Sequence, residues 1–465
     1  MLYNESNEEE ELQMINKLKL KNFKSLTDFE ADLNVKKNSA NSLALIYGSN
    51  AAGKTTFAQA FEFLQRSIWE AVNKHPEKGP AELEVNENRG RNHYLEKLFG
   101  REVHRSLYEE YKTAGVSQNL EFAIEFTLKG KRGRYSLVLN SDGAVYERLD
   151  FALNQRMVRL YEVSEKDMYF SSSLFLDRAF KEKSLSEIKR KFGTYTVLSC
   201  LNTAATETKM DIFKKYLHPE AVDLLVYFVT IAIYFNNIDR SSIYSLFSGW
   251  ETDTYLELCA RGGARKEIKL YEGKISANET EYLRRAEEVL NYILRKLYPD
   301  IDQVYYREYS LGNQIEYELY LRKMIGKSLR DISFRAESTG TKKVLAILPY
   351  LLDAVNGRTV VIDEFESGLH NLLAEKLLED LARSINGQLI ITTHDTLLMN
   401  TVSPKHVYLL STDNQGNREL FPLSVYAIQK GYNVQDRYLR GEYDGIPYTG
   451  SIDFLAAAEI MNGEQ

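Results

Sequence analysis

One short stretch, YGSNAAGKTT from Tyr47 to Thr56, constrains the fold of this chain more than any other feature. It follows an apolar run, LALIY, and it precedes a segment in which Phe57, Phe61 and Leu64 recur at helical spacing. A strand, a glycine-rich loop and a helix in this order form a phosphate-binding loop, because the loop N–H groups and the helix N-terminus attract anionic oxygens. The sequence therefore predicts an α/β fold with a nucleotide site between a buried strand and a helix.

The residue types in the loop suit this chemistry. Gly48 and Gly53 let the backbone turn sharply, and Lys54 is long enough to reach the β- and γ-phosphates of a nucleotide. The Thr55 hydroxyl is a ligand that Mg²⁺ accepts. The loop therefore predicts a nucleotide with Mg²⁺ as the cofactors.

A second segment, RTVVIDEFESGLH, supplies carboxylates. Its β-type residues end at Asp363 and Glu364. A carboxylate at the carboxyl end of a strand can hold Mg²⁺, and the next one can polarise an attacking water. A further apolar run, 389–392, predicts another buried strand, and His394 just beyond it is a candidate contact for the γ-phosphate.

The segment ESTGTKKVLAIL lies between these motifs. Ser338 and Gly340 stand at the start of a predicted helix, where a hydroxyl, a bare backbone and the helix dipole can cradle an anion. An ordinary helix N-cap is the alternative interpretation. Pro349 within the predicted helix implies a kink or an early end.

Taken in order, these motifs resemble the ATPase head of the ABC class, and DEFESGLH is similar to its SMC/RecF/OLD-like branch. ESTGTK, TTHDT and the tail YLRGEYDGIP (438–447) resemble stand-alone ATPases of bacterial anti-phage and abortive-infection systems, among them AbiL-type proteins and the ATPase subunit of PARIS-type systems. Two features depart from the pattern. Glu337 and Thr339 replace the leucine and the first glycine of the LSGGQ signature, and Gln118 is a poor candidate for the Q-loop glutamine.

The resemblance implies an ABC ATPase head with an antiparallel β-arm and a helical insertion, and it implies a role for each motif. Asp363 and Thr55 would hold Mg²⁺, and Lys54, Glu364 and His394 would be catalytic. The segment 367–370 would cross a dimer interface. The implied ATP contacts are Gly48, Ser49, Asn50, Ala51, Ala52, Gly53, Lys54, Thr55 and Thr56, joined by Ser338 and Gly340 from a second copy.

The resemblance also implies a function. We expect an ATP-driven sensor or scaffold of an anti-phage system, working as a homo-oligomer of at least a head-to-head dimer. Its expected partners are a separate effector, such as a TOPRIM nuclease toxin, and a phage-encoded trigger. Too few residues follow His394 for a TOPRIM module within this chain. One alternative is a DNA-repair ATPase that acts directly on DNA, and another is a transporter motor, which the missing LSGGQ motif disfavours.

The rest of the chain suggests three regions. Residues 1–180 are expected to form an N-terminal lobe, because EFAIEFTL, YSLVLN and AVYERLDF alternate as an antiparallel meander with a basic turn, KGKRGR, between the first two strands. Residues 181–330 are expected to form a mainly helical insertion with one clear amphipathic face, carried by Tyr282, Ala286, Val289, Ile293 and Leu297. Residues 331–465 complete the ATPase.

Composition narrows the class further. A net charge of -7 over 465 residues argues against a chain that coats nucleic acid. Cys200 and Cys259 provide neither a disulfide framework nor zinc-ligand spacing, which favours a reducing cytoplasm. The acidic N-terminus does not resemble a signal peptide. The apolar run LLVYFVTIAIYF (224–235) is shorter than the roughly 20 residues that span a bilayer, so it predicts a buried helix and no membrane partner.

Overall fold

The computed structural model describes residues 13–36, 39–69, 103–153, 156–207, 213–235, 270–426, 433–443 and 451–462. Cys259, the acidic N-terminal segment and the end of YLRGEYDGIP lie outside these residues.

The α-helices are α1 (Lys54–Trp69), α2 (Val103–Tyr111), α3 (Arg178–Lys191), α4 (Val197–Glu207), α5 (Pro219–Thr230), α6 (Thr280–Leu297), α7 (Thr339–Val355), α8 (Asn371–Ala382), α9 (Val434–Leu439) and α10 (Phe454–Asn462). Short 3-10 turns cover Ala277–Glu279, Phe334–Ala336, Thr396–Asn400, Pro404–His406 and Leu423–Tyr426. The strands are β1 (Gln13–Phe23), β2 (Leu26–Asp32), β3 (Asn34–Lys36), β4 (Ser39–Ala40), β5 (Leu43–Gly48), β6 (Leu120–Leu128), β7 (Lys131–Asn140), β8 (Gly143–Leu153), β9 (Arg156–Ser164), β10 (Met168–Phe170), β11 (Ala232–Phe235), β12 (Glu272–Ser276), β13 (Ile301–Leu311), β14 (Gln314–Ile325), β15 (Ser328–Ser333), β16 (Thr359–Asp363), β17 (Gln388–Thr392), β18 (Val407–Thr412) and β19 (Arg418–Pro422).

A six-stranded sheet carries the phosphate loop. Its order is β11-β16-β17-β5-β18-β19, and all neighbours run parallel except the β18–β19 hairpin. Strands β5, β16 and β17 are buried along their whole length, which is why their sequences are continuous apolar runs rather than alternating ones. Because the strands are parallel, the residues that follow β5, β16 and β17 meet at one edge of the sheet.

A seven-stranded antiparallel sheet has the order β10-β9-β8-β7-β6-β1-β2. The alternation predicted for β6 is confirmed, since its inward residues Phe122, Ile124, Phe126 and Leu128 are all buried. Gln388 ties this sheet to the parallel one: its side-chain oxygen accepts from the Ile15 N–H at 2.7 Å, and its amide nitrogen donates to the carbonyls of Ile15 and Asn41, both at 2.9 Å. The phosphate-loop sheet and the antiparallel sheet therefore share one core.

The apolar run 224–235 differs from its prediction. It begins within α5, but the helix ends at Thr230 and the chain continues as strand β11, which pairs in parallel with β16. A single buried helix was therefore wrong for the second half of the run. A short apolar segment carries no period by which helix and strand can be told apart.

The expected helical character of residues 181–330 is also wrong for residues 272–276 and for most of 301–330. Strands β12 to β15 form an antiparallel sheet there, with β14 between β12 and β13 and with β15 also paired to β14. Helix α6 packs against β13 and buries Leu283, Leu290 and Leu294, which the prediction did not name. Of the predicted face, Ala286 is buried, and Ile293 and Leu297 are partly buried against the core. The Asn291 side chain fixes this packing, because it accepts from the Val304 N–H at 2.8 Å and donates to the Val304 carbonyl at 2.6 Å.

The predicted α/β class is confirmed, with a parallel phosphate-loop sheet, flanking helices and a separate antiparallel sheet. Helix α7 continues past Pro349 to Val355, so the proline does not end it early. Within the described ranges, no helix combines the length and the apolar character needed to cross a membrane.

Candidate functional site: a nucleotide-binding edge of the parallel sheet

The phosphate loop begins at the last residue of β5. A Cβ on Gly48 would lie 2.6 Å from the carbonyl oxygen of Leu410 on β18, so only glycine fits between the two strands. Gly53 has a φ of 114° and Ala51 a φ of 63°, both in the left-handed region. The loop therefore turns tightly and delivers Lys54 as the first residue of α1.

The Lys54 side chain is buried and folds back over the loop. Its ammonium donates to the Gly48 carbonyl at 2.7 Å and to the Ser49 carbonyl at 3.1 Å. Burial lowers the pKa of Lys54 to about 8, while the charges of Asp363, Glu366 and Glu364 oppose the shift. An anionic phosphate at this position would favour the charged amine, as a phosphate-binding lysine requires.

Asp363 ends β16 and is buried at 4% exposure. Its carboxylate accepts a hydrogen bond from the Thr392 hydroxyl at 2.5 Å. Burial raises the pKa of Asp363, and hydrogen bonds from Thr392 and Thr55 oppose this shift. The structure thus brings Thr55 and Asp363 together, as the sequence predicted.

Glu364 adopts a φ of 51°, which is uncommon for a residue with a side chain. Its N–H donates to the Thr392 hydroxyl at 3.0 Å, so the same threonine holds both residues of the Asp-Glu pair. Backbone strain of this kind is concentrated at functional sites.

Glu366 is a site residue that the sequence analysis did not single out. One of its carboxylate oxygens accepts from the His394 N–H at 2.6 Å, and its other oxygen is buried without a hydrogen-bond partner among the described residues. Burial and the nearby Lys54 ammonium lower the pKa of His394, and Glu366 opposes the shift. The spacing Asp-Glu-x-Glu was the available signal, because a residue three positions beyond the end of β16 is still within reach of the segment that follows β17.

Lys343 on α7 was also missed. It is buried, its ammonium lies 4.4 Å from the centre of the Tyr234 ring, and it donates to the Glu364 carbonyl at 3.4 Å. Burial lowers its pKa to about 8, against the charges of Glu366, Glu364 and Asp363. Lys343 therefore connects the helix that begins at the signature with the carboxylate segment.

The signature segment lies at the N-terminus of α7. Ser338 is its N-cap, and its hydroxyl accepts from the Thr341 N–H at 3.2 Å. Glu337, which replaces the family's leucine, is buried and pairs with Lys323 of β14 at 3.3 Å. Lys323 also pairs with Asp300 at 3.2 Å. Glu337 therefore anchors the signature to the smaller antiparallel sheet.

The segment 367–370 forms a turn beside the signature. The N–H of Ser367 donates to the Glu364 carbonyl at 3.1 Å, and that of Leu369 donates to the Glu366 carbonyl at 2.8 Å. A Cβ on Gly340 would lie 3.4 Å from the Gly368 carbonyl oxygen.

Gln118, the weak candidate for the Q-loop glutamine, is exposed and lies just before β6. Its backbone carbonyl accepts a hydrogen bond from the Tyr108 hydroxyl at 3.0 Å.

Together, the phosphate loop after β5, the buried aspartate at the end of β16 and the histidine beyond β17 define a P-loop ATPase domain. Residues 43–192 and 265–400, more than half of the chain, match a protein family described as "AAA domain, putative AbiEii toxin, Type IV TA system". The chain belongs to this family.

Comparison with curated protein sequences finds no match. Among solved structures, an SMC head bound to the C-terminal winged-helix domain of ScpA is similar at 15% identity, covering 89% of this chain and 99% of that one with a TM-score of 0.42. The SMC head domain of Thermotoga maritima is similar at 17% identity over 88% and 98%, with a TM-score of 0.36. An SMC head with an extended coiled coil, bound to the C-terminal domain of ScpA from Pyrococcus furiosus, is similar at 16% identity over 90% and 98%, with a TM-score of 0.40.

Proposed function

We propose that this chain binds and hydrolyses ATP as the switch of a bacterial anti-phage, abortive-infection system, and that it controls a separate effector such as a TOPRIM nuclease toxin. The observation that supports the ATPase most is the geometry of the sheet edge, where the glycine loop after β5 delivers Lys54 as the first residue of α1 and the buried Asp363 carboxylate ends β16. The family description, which names an AbiEii toxin, supports a role in defence.

The donor set fits Mg²⁺. In the described part of the chain, no three carboxylate, histidine or cysteine side chains come together as a metal cluster. Mg²⁺ bound with a nucleotide needs fewer protein ligands, since it is held by one or two carboxylates together with substrate phosphates and water. The Thr55 hydroxyl and the buried Asp363 carboxylate would hold it, and the ion would neutralise phosphate charge.

We assign the catalytic roles at the γ-phosphate to Glu364 and His394. The left-handed backbone at Glu364 places the residue just past the end of the strand, where a carboxylate can polarise water. Glu366 accepts from the His394 N–H and so ties the carboxylate segment to the histidine. A change at the γ-phosphate sensed by His394 would therefore also act on the segment 367–370.

A second copy would complete the site. Ser338 is exposed at the N-terminus of the 17-residue helix α7, where N–H groups and the helix dipole favour an anion. Gly340 lies against Gly368 of the segment 367–370, so both elements of the proposed interface occupy one surface. We propose that Ser338 and Gly340 contact the γ-phosphate held by Lys54 of the partner, giving a head-to-head dimer with two ATP molecules.

The test compares four purified variants with the wild type for ATP hydrolysis and for mass in solution with ATP and Mg²⁺. We expect Lys54→Ala to be a monomer that neither binds nor hydrolyses ATP, and Glu364→Gln to bind ATP and accumulate as a dimer. Ser338→Arg should bind ATP but remain monomeric and inactive, whereas Ser328→Arg, on the exposed β14–β15 turn, should behave as wild type. If Glu364→Gln and Lys54→Ala show the same mass with ATP, the switch is refuted.

The role in defence needs its own measurement. Cells that carry the chain with its neighbouring genes should resist phage, and the Lys54→Ala variant should abolish this resistance at equal expression. Proteins that co-purify with Glu364→Gln but not with Lys54→Ala are the expected effector and trigger. Equal plaque counts with wild type and Lys54→Ala would contradict the proposal.

Direct action on DNA has less support. A concave surface of about 370 Å³ on the seven-stranded sheet is lined by Lys17, Arg132, Arg134, Arg148 and Arg159. However, Lys17 pairs with Asp32, Arg134 with Glu125, Arg148 with Asp150, and Arg159 with Glu162. Charges that are already paired offer little net attraction to phosphates. An ATPase rate that rises severalfold with duplex DNA, with salt-sensitive binding, would revive the alternative.

A further inference from the structure

We propose that Arg418 is a positioning residue for nucleotide binding, because its guanidinium holds the outer side of the phosphate loop. It lies on β19, far from the loop in sequence, and it belongs to none of the motifs described above. The proposal rests on the proposed ATP binding and adds a residue to it.

The contacts of Arg418 are with backbone carbonyls of the loop and of its neighbour. Its Nε donates to the Ala52 carbonyl at 2.7 Å, and one Nη donates to the Ala51 carbonyl at 3.4 Å. Its other Nη donates to the carbonyl of Ser25, in the turn between β1 and β2, and to that of Gly416 at 3.1 Å. The five N–H donors of a guanidinium in a fixed fork suit this arrangement, and a lysine cannot reproduce it.

These carbonyls matter because of how a phosphate loop works. The loop binds anions through its N–H groups, so its carbonyl oxygens take other hydrogen-bond partners: Lys54 donates to those of Gly48 and Ser49, and those of Ala51 and Ala52 remain. Arg418 supplies two of these partners. It also acts next to Ala51, whose φ of 63° is unfavourable for a residue with a Cβ. The contacts of Arg418 thus oppose relaxation of this strained residue.

Packing around Gly53 leads to the same conclusion. A Cβ on Gly53 would lie 3.1 Å from a Leu26 methyl, 3.4 Å from Arg418 Cδ and 3.4 Å from the Ser25 hydroxyl. The Ser25 hydroxyl is in turn 3.3 Å from that of Thr56. Arg418 and the β1–β2 turn therefore pack directly against the loop at Gly53.

The hairpin that carries Arg418 is itself anchored at both ends. The Asp413 carboxylate accepts from the N–H groups of Gln415 and Asn417, both at 2.8 Å, and this fixes the turn. Strand β18 pairs with β5 up to Leu410 opposite Gly48. Arg418 is thus delivered to the loop by β19, which is separated from β5 only by strand β18 of the same hairpin.

The experiment uses Arg418→Ala and Arg418→Lys in the full chain, with Arg440→Ala as the matched control. Arg440 is exposed and pairs only with Asp436 of its own helix turn among the described contacts, at 2.8 Å. Two quantities are measured: the Kd for ATP with Mg²⁺, and backbone amide hydrogen exchange over residues 48–53 without nucleotide. The melting temperature reports general stability.

We expect Arg418→Ala to bind ATP about tenfold more weakly, which corresponds to about 1.4 kcal/mol, and to exchange its loop amides faster than wild type. The KM for ATP should rise more than kcat falls, because the residue acts on the loop and not on the reacting atoms. Arg418→Lys, which keeps the charge but loses the fork, should resemble Arg418→Ala. Arg440→Ala should match wild type.

The proposal is overturned if Arg418→Ala binds ATP within about twofold of wild type, or if its loop amides exchange at the wild-type rate. A lower melting temperature with unchanged loop exchange would also overturn it, because it shows a general structural role. If the wild type itself fails to bind ATP, the proposed function fails, while the exchange measurement still decides the role of Arg418.

Discussion

Glu147 on β8 provides a quantitative test of the packing that supports the nucleotide site. The residue has no exposed surface, and its carboxyl group accepts from the hydroxyls of Tyr135 and Tyr161 at 3.1 and 2.8 Å. It also accepts from the N–H groups of Val197 and Leu198, the first residues of α4. Helix α4 packs on α1, the helix that begins with Lys54, so Glu147 helps to fix the support of the phosphate loop.

Burial raises the pKa of Glu147 from 4.5 to about 7, while the four donors oppose the shift. The folded state therefore holds a proton that the unfolded state has lost between these two pH values. The contribution of Glu147 to the free energy of unfolding is greatest below pH 4.5, falls as the pH rises, and is constant again above about pH 7. Since one pKa unit corresponds to about 1.4 kcal/mol, the loss is about 3 kcal/mol in all and about 2.5 kcal/mol between pH 5 and pH 8.

The perturbation is Glu147→Gln, which keeps the volume and does not titrate. Urea unfolding at pH 5, 6, 7 and 8 should show the wild type losing about 2.5 kcal/mol relative to this variant over the range. Glu147→Ala should be destabilised by about 4 kcal/mol or more at every pH, because it leaves four buried donors without an acceptor. Each unsatisfied donor costs roughly 1–3 kcal/mol, and relaxation of the surrounding structure recovers part of the total.

Glu162 on the adjacent β9 is the control. A hydrogen bond from Arg159 lowers the pKa of Glu162, so the carboxylate is ionised in both states from pH 5 upward. The difference between wild type and Glu162→Gln should therefore be flat over the range. A difference between wild type and Glu147→Gln that is equally flat would refute the reasoning, since it would show that the four donors outweigh burial.

Two further substitutions test the packing of the sheet edge. Gly48→Ala should abolish ATP binding and lower the melting temperature, because the new Cβ would lie 2.6 Å from the Leu410 carbonyl oxygen. The comparison is Lys54→Ala, which removes ATP binding without this clash. Normal ATP affinity in Gly48→Ala would contradict the geometry. Gln388→Leu should destabilise the chain by about 3 kcal/mol in urea unfolding, because three buried backbone groups lose their partner at roughly 1 kcal/mol each; a change below about 1 kcal/mol would show that the two sheets are held together elsewhere.

The parts of the fold that the sequence predicted correctly are those encoded by local period and by short motifs. Strands β5, β16 and β17 are apolar runs that end at or just before the candidate site residues, and β6 alternates with period two. The sheet of β12 to β15 was missed although a signal existed. Residues 304–321, VYYREYSLGNQIEYELYL, alternate on both sides of a Gly-Asn pair, which is typical of a hairpin.

Contacts between distant segments were beyond the sequence because no local pattern marks them. Arg418 follows a polar turn and is indistinguishable from a solvent-exposed arginine, and Gln388 is a single polar residue before a buried strand. Glu337 was interpreted as a departure from a motif, but in the fold it is one partner of a buried ion pair with Lys323. The role of such a residue depends on the group that it contacts in the fold, and that group can be identified only once the order of the strands is known.

The difference between residues that motifs identify and residues that only the fold brings to the site also matters for how the site could act as a switch. The residues named by motifs lie at the proposed nucleotide site, but the groups that hold them come from elsewhere. Thr392 holds Asp363 and Glu364, Glu366 holds the His394 backbone, and Lys343 joins α7 to the Glu364 carbonyl. A γ-phosphate that draws Lys54 or His394 toward itself would change the charges around Glu366 and Lys343, since Asp363, Glu364 and Glu366 act on all three basic groups. Lys343 lies on the helix that begins at Ser338 and Gly340. The proposed partner-facing signature is therefore about one helical turn away from Lys343, which would respond to the charge of the protomer's own nucleotide. In the proposed switch, this gives a short physical route from ATP binding to dimer formation.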